Sequence, residues 1–259
     1  MKKYNSIRKA MSDFCGQVAL VTGASRGVGA SVARLLAERG ADVVINYHSK
    51  SSRALEVANT IRSIGRRALL AQADLTIDSD MKKMIKLVEE QFAHLDLLIL
   101  NASGGLEKDK ALDYAMQLNL TAQVRAVDLS LSLMPRGGRI IFVTSHLAHF
   151  YGQKPVSPIV YEPVAQSKKA GEEALRSRIA ELATRGIKLL VVSGDLIEGT
   201  ITPKLMQRHN PGMIESRRKQ AGSLPSVEDF AYAIVDCAAN TQLESGATIF
   251  VGSTEWEIA

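Results

Sequence analysis

Between residues 145 and 169 the chain gathers side chains that can hand over or hold a proton: Ser145, His146, His149, Tyr151, Tyr161, Lys168 and Lys169. Tyr161 and Lys168 stand seven residues apart in Tyr-Glu-Pro-Val-Ala-Gln-Ser-Lys. On a regular helix that offset is about 700°, within about 20° of two full turns, so a phenol and an ammonium would share one face roughly 10 Å apart along the axis. Such a pair could meet over one bound molecule, the phenol acting as proton donor or oxyanion partner. Four residues before Lys168 and Lys169 stand Val164 and Ala165, and neither can donate a proton. Pro163 suits a first helical turn and is expected to push Glu162 out of the α region, which leaves Tyr161 on the entry loop. His146 and His149 lie in the connection before it, where they either donate protons near neutral pH or are plain surface residues.

A sheet must hold these groups. Val18-Ala-Leu-Val-Thr-Gly-Ala-Ser-Arg-Gly-Val-Gly29 is a short apolar run that breaks into Gly23, Gly27 and Gly29 and continues as an amphipathic pattern to Arg39. It predicts a strand, a turn and a helix. Gly23 lets the chain turn sharply, Gly27 lets backbone approach a pyrophosphate, and Gly29 lets the helix lie close to the sheet. The helix N-terminus, with Ser25, Arg26 and Val28 around it, offers N–H groups and a positive dipole end to an anion. From there short β-rich runs alternate with helical patterns, which predicts a single α/β domain, a doubly wound sheet of seven parallel strands with helices on both faces. The strands are expected at Val18 to Val21, Asp42 to Tyr47, Arg67 to Gln72, Leu95 to Leu100, Arg139 to Thr144, Lys188 to Val192 and Thr248 to Val251. Ligands of such sheets bind beyond the carboxyl ends of the strands.

The totals exclude several classes. The formal charge of +5 is concentrated in the first fourteen residues, where Lys2, Lys3, Arg8 and Lys9 face only Asp13. The remainder is close to neutral and carries no basic stripe for a nucleic acid. Cys15 and Cys237 form no C-x-x-C pair, so no metal site or disulfide is indicated and a reducing cytoplasm fits. No apolar run approaches the length of a membrane span. Residues 1–15 read as a basic, loosely docked extension and 16–259 as the domain, with the polar and basic stretch 203–225 as a substrate lid. Its Lys204, Arg208, His209, Arg217, Arg218 and Lys219 would either suit a phosphorylated or carrier-bound substrate or form a solvated helix face.

The turn Thr22 to Gly29, T-G-x-x-x-G-x-G, resembles that of the short-chain dehydrogenase/reductase family, and later motifs follow in that family's order from Gln17 to Ser253. The resemblance implies a Rossmann-type fold and a nicotinamide cofactor held by the glycine turn. It gives Asp74-Leu75 to the adenine, Asn101-Ala102 to the adenine ribose, Gly194 to the nicotinamide amide and Lys168 to the nicotinamide ribose. Asn46 and His48 end the second strand where NAD-selective enzymes place a carboxylate. None is present, and Arg26 with His48, Lys50 or Arg53 favours NADPH over NADH. The resemblance also makes Ser145 the residue that holds the substrate carbonyl, and Asn119 the holder of a water in the proton relay.

The family's usual Y-x-x-x-K pair is absent, and the Y-x6-K of Tyr161 and Lys168 is similar to that of its enoyl-thioester reductases. Tyr151 stands ten residues before Tyr161, as a second tyrosine does in some of them. The reading that follows is an NADPH-dependent reductase of an acyl-thioester-like substrate, small or carrier-bound, with the enoyl C=C slightly ahead of a keto C=O. A carbonyl reductase is the alternative, and a non-catalytic NADPH-binding sensor the second. Family habit suggests a homo-oligomer, tetramer or dimer, with no nucleic-acid or membrane partner.

Overall fold

In the computed structural model, which describes residues 13–107, 110–111 and 113–255, seven parallel strands lie side by side in the order β3-β2-β1-β4-β5-β6-β7. They are β1 Val18–Val21, β2 Asp42–Tyr47, β3 Ala68–Gln72, β4 Leu97–Leu100, β5 Arg139–Ser145, β6 Lys188–Gly194 and β7 Thr248–Val251. Three match the expected bounds. β3 and β4 begin later than expected, whereas β5 and β6 run on to Ser145 and Gly194, which pair in register. Ser145 is therefore fixed by the end of a ladder and not by a loop. The strand order reverses between β1 and β4, which opens a crevice at their carboxyl ends.

Side chains alternate between the two faces of each strand, and both faces are apolar. Val21, Ile45, Ile99, Val143 and Val192 meet α1 (Gly27–Glu38), α2 (Ser51–Ser63) and α11 (Val227–Ala239) on one side. Leu20, Val44, Leu98, Phe142 and Val191 meet α3 (Asp78–Phe92), α5 (Ala122–Ser130), α7 (Glu162–Arg176) and α8 (Ile179–Thr184) on the other. The remaining helices are α4 (Tyr114–Met116), α6 (His146–His149), α9 (Ile201–His209) and α10 (Met213–Ala221). Ser226 and Asp229 close a capping box at the start of α11.

Two expectations need correction. The pattern from Ala111 to Met134 predicts one long helix, but α4 passes through a π turn, Gln117–Thr121, before α5. The turn puts the backbone out of the α register. The Leu118 carbonyl instead accepts from the Gln123 side chain at 2.8 Å, and the Asn119 side chain is drawn to Gly104. Asp13 to Cys15, grouped above with the extension, belong to the packed domain. Phe14 is fully buried, its N–H donates to the Arg39 carbonyl at 3.0 Å, and Asp13 pairs with Arg39. The four basic residues of the extension lie outside the described residues.

No helix among the described residues is long and apolar enough to cross a membrane, and none of their acidic, histidine or cysteine groups clusters as a metal site. Cys15 and Cys237 are both free.

Candidate active site

The glycine turn is built by steric need. Gly23 and Gly27 have φ of +65° and +54°, where a side chain is strained. Gly29 is tight in space instead: a Cβ there would come within 2.6 Å of both the Asn101 amide and the Gly23 carbonyl. Two polar residues hold the turn. Thr22 Oγ1 accepts from the N–H groups of Asn101 and Ala102 at 2.9 and 3.0 Å, tying β1 to the end of β4. Asn46 accepts from Gly23 N–H at 3.1 Å and donates to the Ala71 and Ala73 carbonyls at 3.3 Å.

Asn46 is thus not free for a cofactor, as expected of it above; its side chain is a clip joining the ends of β2 and β3 to the turn. Leu75 likewise turns its side chain into the core. Asp74 accepts from Thr76 through both N–H and hydroxyl and faces His48 at 3.4 Å. Burial raises its carboxyl, but the Thr76 bonds and the charges of His48 and Lys110 outweigh this and hold it below the usual range. Arg26, Val28 and Asn101 line one end of a cleft of about 590 Å³, with Ser25 half-buried in the turn beside them.

At the other end Ser145, Tyr161 and Lys168 come together. The Ser145 and Tyr161 hydroxyls lie 3.0 Å apart. Tyr161 closes a 3₁₀ turn, Ile159–Tyr161, that runs straight into α7, and Glu162 is helical at φ −56°, ψ −45°. The expectation that Pro163 expels Glu162 from the α region fails, because Pro163 sits in the first helical turn, where its missing N–H costs nothing. Burial of Tyr161 raises its pKa above the ordinary phenol value, and the Ser145 bond only partly offsets this, so the hydroxyl keeps its proton at neutral pH. Burial pushes the Lys168 ammonium down to about 8, against the opposing pull of Glu172. Lys169 points elsewhere, to the His149 carbonyl at 2.9 Å.

Asn119 lies behind this group. Its amide donates to Gly104 O at 2.8 Å and Ser167 Oγ at 3.0 Å and accepts from Gly104 N–H at 3.3 Å. Both amide hydrogens go to protein partners, so the Asn119 side chain braces Gly104 and Ser167, the residue beside Lys168. Tyr151 donates to Glu162 at 3.3 Å and does not line the cleft.

The histidines are not surface residues. His146 is 2% exposed, bonds Ser193 Oγ at 2.8 Å and packs on Phe250. Burial lowers its pKa to about 4, so it is neutral and no proton donor at pH 7. His149 Nδ1 reaches the buried Glu172 at 2.8 Å, and Arg176 holds the same carboxylate at 2.8 Å. Sequence reading missed these buried partners and the Thr22 and Asn46 braces, although Thr22 lies within the glycine motif. The unfolded chain binds a proton at His146 between pH 6.5 and about 4 that the folded protein refuses, so stability is lost as pH drops through that window, by about 3 kcal/mol. A His146→Gln variant, still a partner for Ser193, is expected to flatten that fall in urea midpoints measured at pH 7, 5.5 and 4.5.

Over the substrate end fold α9 and α10, the stretch expected as a lid. The cleft there is lined by Leu106, Leu147, Val156, Val164, Leu205, Met206 and Met213. Of the six basic residues expected to greet a phosphorylated substrate, Arg217 alone lines the cleft, and its charge is matched by Asp195 at 2.7 Å.

A family model described as short chain dehydrogenase matches residues 17–210. Among curated relatives, a hydroxynaphthalene reductase, arp2, of Aspergillus fumigatus is 33% identical over 209 residues, 78% of this chain and 74% of that protein. A 1-cyclohexenylcarbonyl-CoA reductase of Streptomyces collinus is 31% identical over 188 residues, 70% of this chain and 65% of its own. Arp2-like relatives from Metarhizium are matched over 54% of their length, so the chain spans about half of them. Among solved structures, the angucycline C-6 ketoreductase LanV with bound NADP superposes with a TM-score of 0.77 at 28% identity, over 94% of this chain and 97% of that one. The chain belongs to the short-chain dehydrogenase family and is an oxidoreductase of that family.

Proposed function

We propose that this protein is an NADPH-dependent carbonyl reductase acting on a compact, uncharged, ring-bearing ketone. The observation that carries the reading is the pair of hydroxyls, Ser145 and Tyr161, 3.0 Å apart at the apolar end of the cleft. Two adjacent donors can hold one carbonyl oxygen and stabilise it as it gains charge. The lining by Leu106, Leu147, Val156, Leu205, Met206 and Met213, with Arg217 already matched by Asp195 and Glu107 adding negative charge, suits fused rings better than a phosphate. The hydroxynaphthalene reductase and angucycline ketoreductase relatives support the same preference.

The residues present fit NADPH. Gly27 opens onto free space at the N-terminus of α1, exposed Arg26 stands beside it, and the carboxylate nearest to His48, Asp74, is already occupied by His48 and Thr76. The glycine turn would hold the pyrophosphate, Arg26 and His48 a 2′-phosphate, and Lys168 the nicotinamide ribose. When bound, NADPH supplies the hydride. Ser145 orients the ketone oxygen, and Tyr161, kept neutral by burial, gives that oxygen a proton as the alkoxide forms. Leu205 and Met206 of α9, with Met213 of α10, cover that end and exclude water.

A second reading, reduction of an enoyl thioester, is favoured by the Y-x6-K spacing and by the cyclohexenylcarbonyl-CoA reductase relative. NADPH oxidation with 2-tetralone, an acetoacetyl thioester and a crotonyl thioester, run side by side, separates the two. Turnover of 2-tetralone with no turnover of crotonyl thioester is expected; turnover of crotonyl thioester alone would replace the ketone reading with the enoyl one.

A further inference from the structure

The two helices over the cleft are anchored by different physics. α9 is held by packing: its Met206 is fully buried in a cluster with Ala148, Tyr161, Val164 and Ala165. α10 has no apolar stripe, and the one residue of α10 that is buried is Arg217. Its guanidinium forks onto Asp195, with Nε at 2.9 and 3.2 Å from the two carboxylate oxygens and Nη2 at 2.7 Å. The Arg217 and Asp195 side chains are only 9% and 5% exposed. The same guanidinium donates to the Ser253 carbonyl at 2.7 Å and the Glu255 carbonyl at 2.5 Å.

Asp195 directly follows β6, and its N–H donates to Val251 at the end of β7 at 2.9 Å. The chain beyond β7 crosses over the pair at Gly252, where a Cβ would come within 2.6 Å of the Asp195 Cβ. One residue further from Ser253, the Thr254 carbonyl accepts from Lys154 at 2.7 Å, which ties this crossing to the connection that leads into Tyr161. A buried ion pair of this geometry holds only while both partners stay, since removing one leaves a desolvated charge alone.

We propose that Arg217 and Asp195 form the latch that keeps α10 closed over the substrate end of the cleft, with residues 253–255 as the strap that fixes it. They are positioning residues: they set access to the site through the roof, while the Ser145 and Tyr161 hydroxyls do the chemistry. The latch stands whichever substrate the cleft accepts; only the kinetic arm of its test rests on the ketone reading.

Exposed Arg208, Arg218 and Lys219 make the two helices cleavable by trypsin once they open. In the full chain, Arg217→Met and Asp195→Asn are expected to speed tryptic nicking within residues 204–219 by about tenfold and to raise KM for 2-tetralone by a similar factor. Kd for NADPH should shift less than about twofold, and kcat should fall by less than KM rises. The double variant Asp195→Leu with Arg217→Met, which removes both charges, should be nicked more slowly than either single variant. Nicking of the single variants at the wild-type rate would overturn the latch, and so would cleavage accelerated equally along the whole chain. Loss of nicking control with no turnover of any ketone would uphold the latch and overturn the ketone reading.

Discussion

Tyr161→Phe is expected to lower kcat for ketone reduction by about 10²- to 10⁴-fold, the range a placed general acid contributes, with Kd for NADPH almost unchanged. The ring should stay where it is: Tyr161 is 4% exposed and packed by Met206 and Val164, and its hydroxyl bonds only Ser145 among the contacts described. Loss of one hydroxyl therefore removes the proton and little else. Apart from the Ser145 hydroxyl, a far weaker acid than the phenol, no neighbour named here can take over: His146 is neutral, buried and engaged with Ser193, and Val164 and Ala165 carry no proton. Single-turnover rates monitored at 340 nm, the absorbance of the reduced cofactor, check this. A variant that kept more than about a tenth of the wild-type rate would show that water, and not the phenol, protonates the product.

Lys168→Met should do the opposite to stability and activity. Folding moves this ammonium from an ordinary 10.5 to about 8, a cost of about 3 kcal/mol that is carried in full below pH 8. The unfolded chain binds the extra proton between pH 8 and 10.5, so wild-type stability rises with pH across that interval. A methionine removes the penalty. The Tm of the cofactor-free variant at pH 7 should rise by about 5–10 °C, and the rise should vanish near pH 10.5. Reduction should fail at the same time, because the group proposed to hold the nicotinamide ribose is gone. Calorimetry at pH 7 and pH 10 tests the sign directly; a lower Tm at pH 7 would mean that Glu172, left to Arg176 and His149 alone, loses more from the missing ammonium than the protein gains.

The sheet and its seven strands could be read from the sequence because a strand buried on both faces is a run of apolar residues, but Ser145, Ser193 and Gly194, which close β5 and β6, carried no such signal. The glycines were legible for a related reason. Positions such as Gly23 and Gly29 tolerate nothing larger, so the residue type states the geometry. Lys168 and Lys169 were rivals in the sequence, and it is the bond of Lys169 to the His149 carbonyl that leaves Lys168 in the cleft. Buried charge was not legible. Arg217 looked like one of six cations that either greet a substrate or are solvated, and His149 like a loop residue, because a charge enters a core only with a partner supplied by another element, here Asp195 and Glu172. The π turn at Gln117–Thr121 was hidden for the same reason: it is held by Gly104 and Gln123 across space. Pro163 misled because a rule about the residue before proline is weaker than a helix start that packs well. Spacing alone put enoyl reduction slightly ahead. The meeting of two hydroxyls, and relatives named as ketoreductases, shift the preference to the carbonyl.

The Asn46 clip also marks where coenzyme preference can be redesigned. A carboxylate placed at position 46 could still accept from Gly23, but it would face the Ala71 and Ala73 carbonyls with no donor for either and loosen the joint between β2, β3 and the glycine turn. Two residues on, His48 is exposed, meets the rest of the protein through Asp74 alone among its ion pairs described, and can be exchanged without touching that joint. An engineer seeking NADH use should leave 46 alone and change 48, together with Asp74, since an acid at 48 would otherwise face that carboxylate.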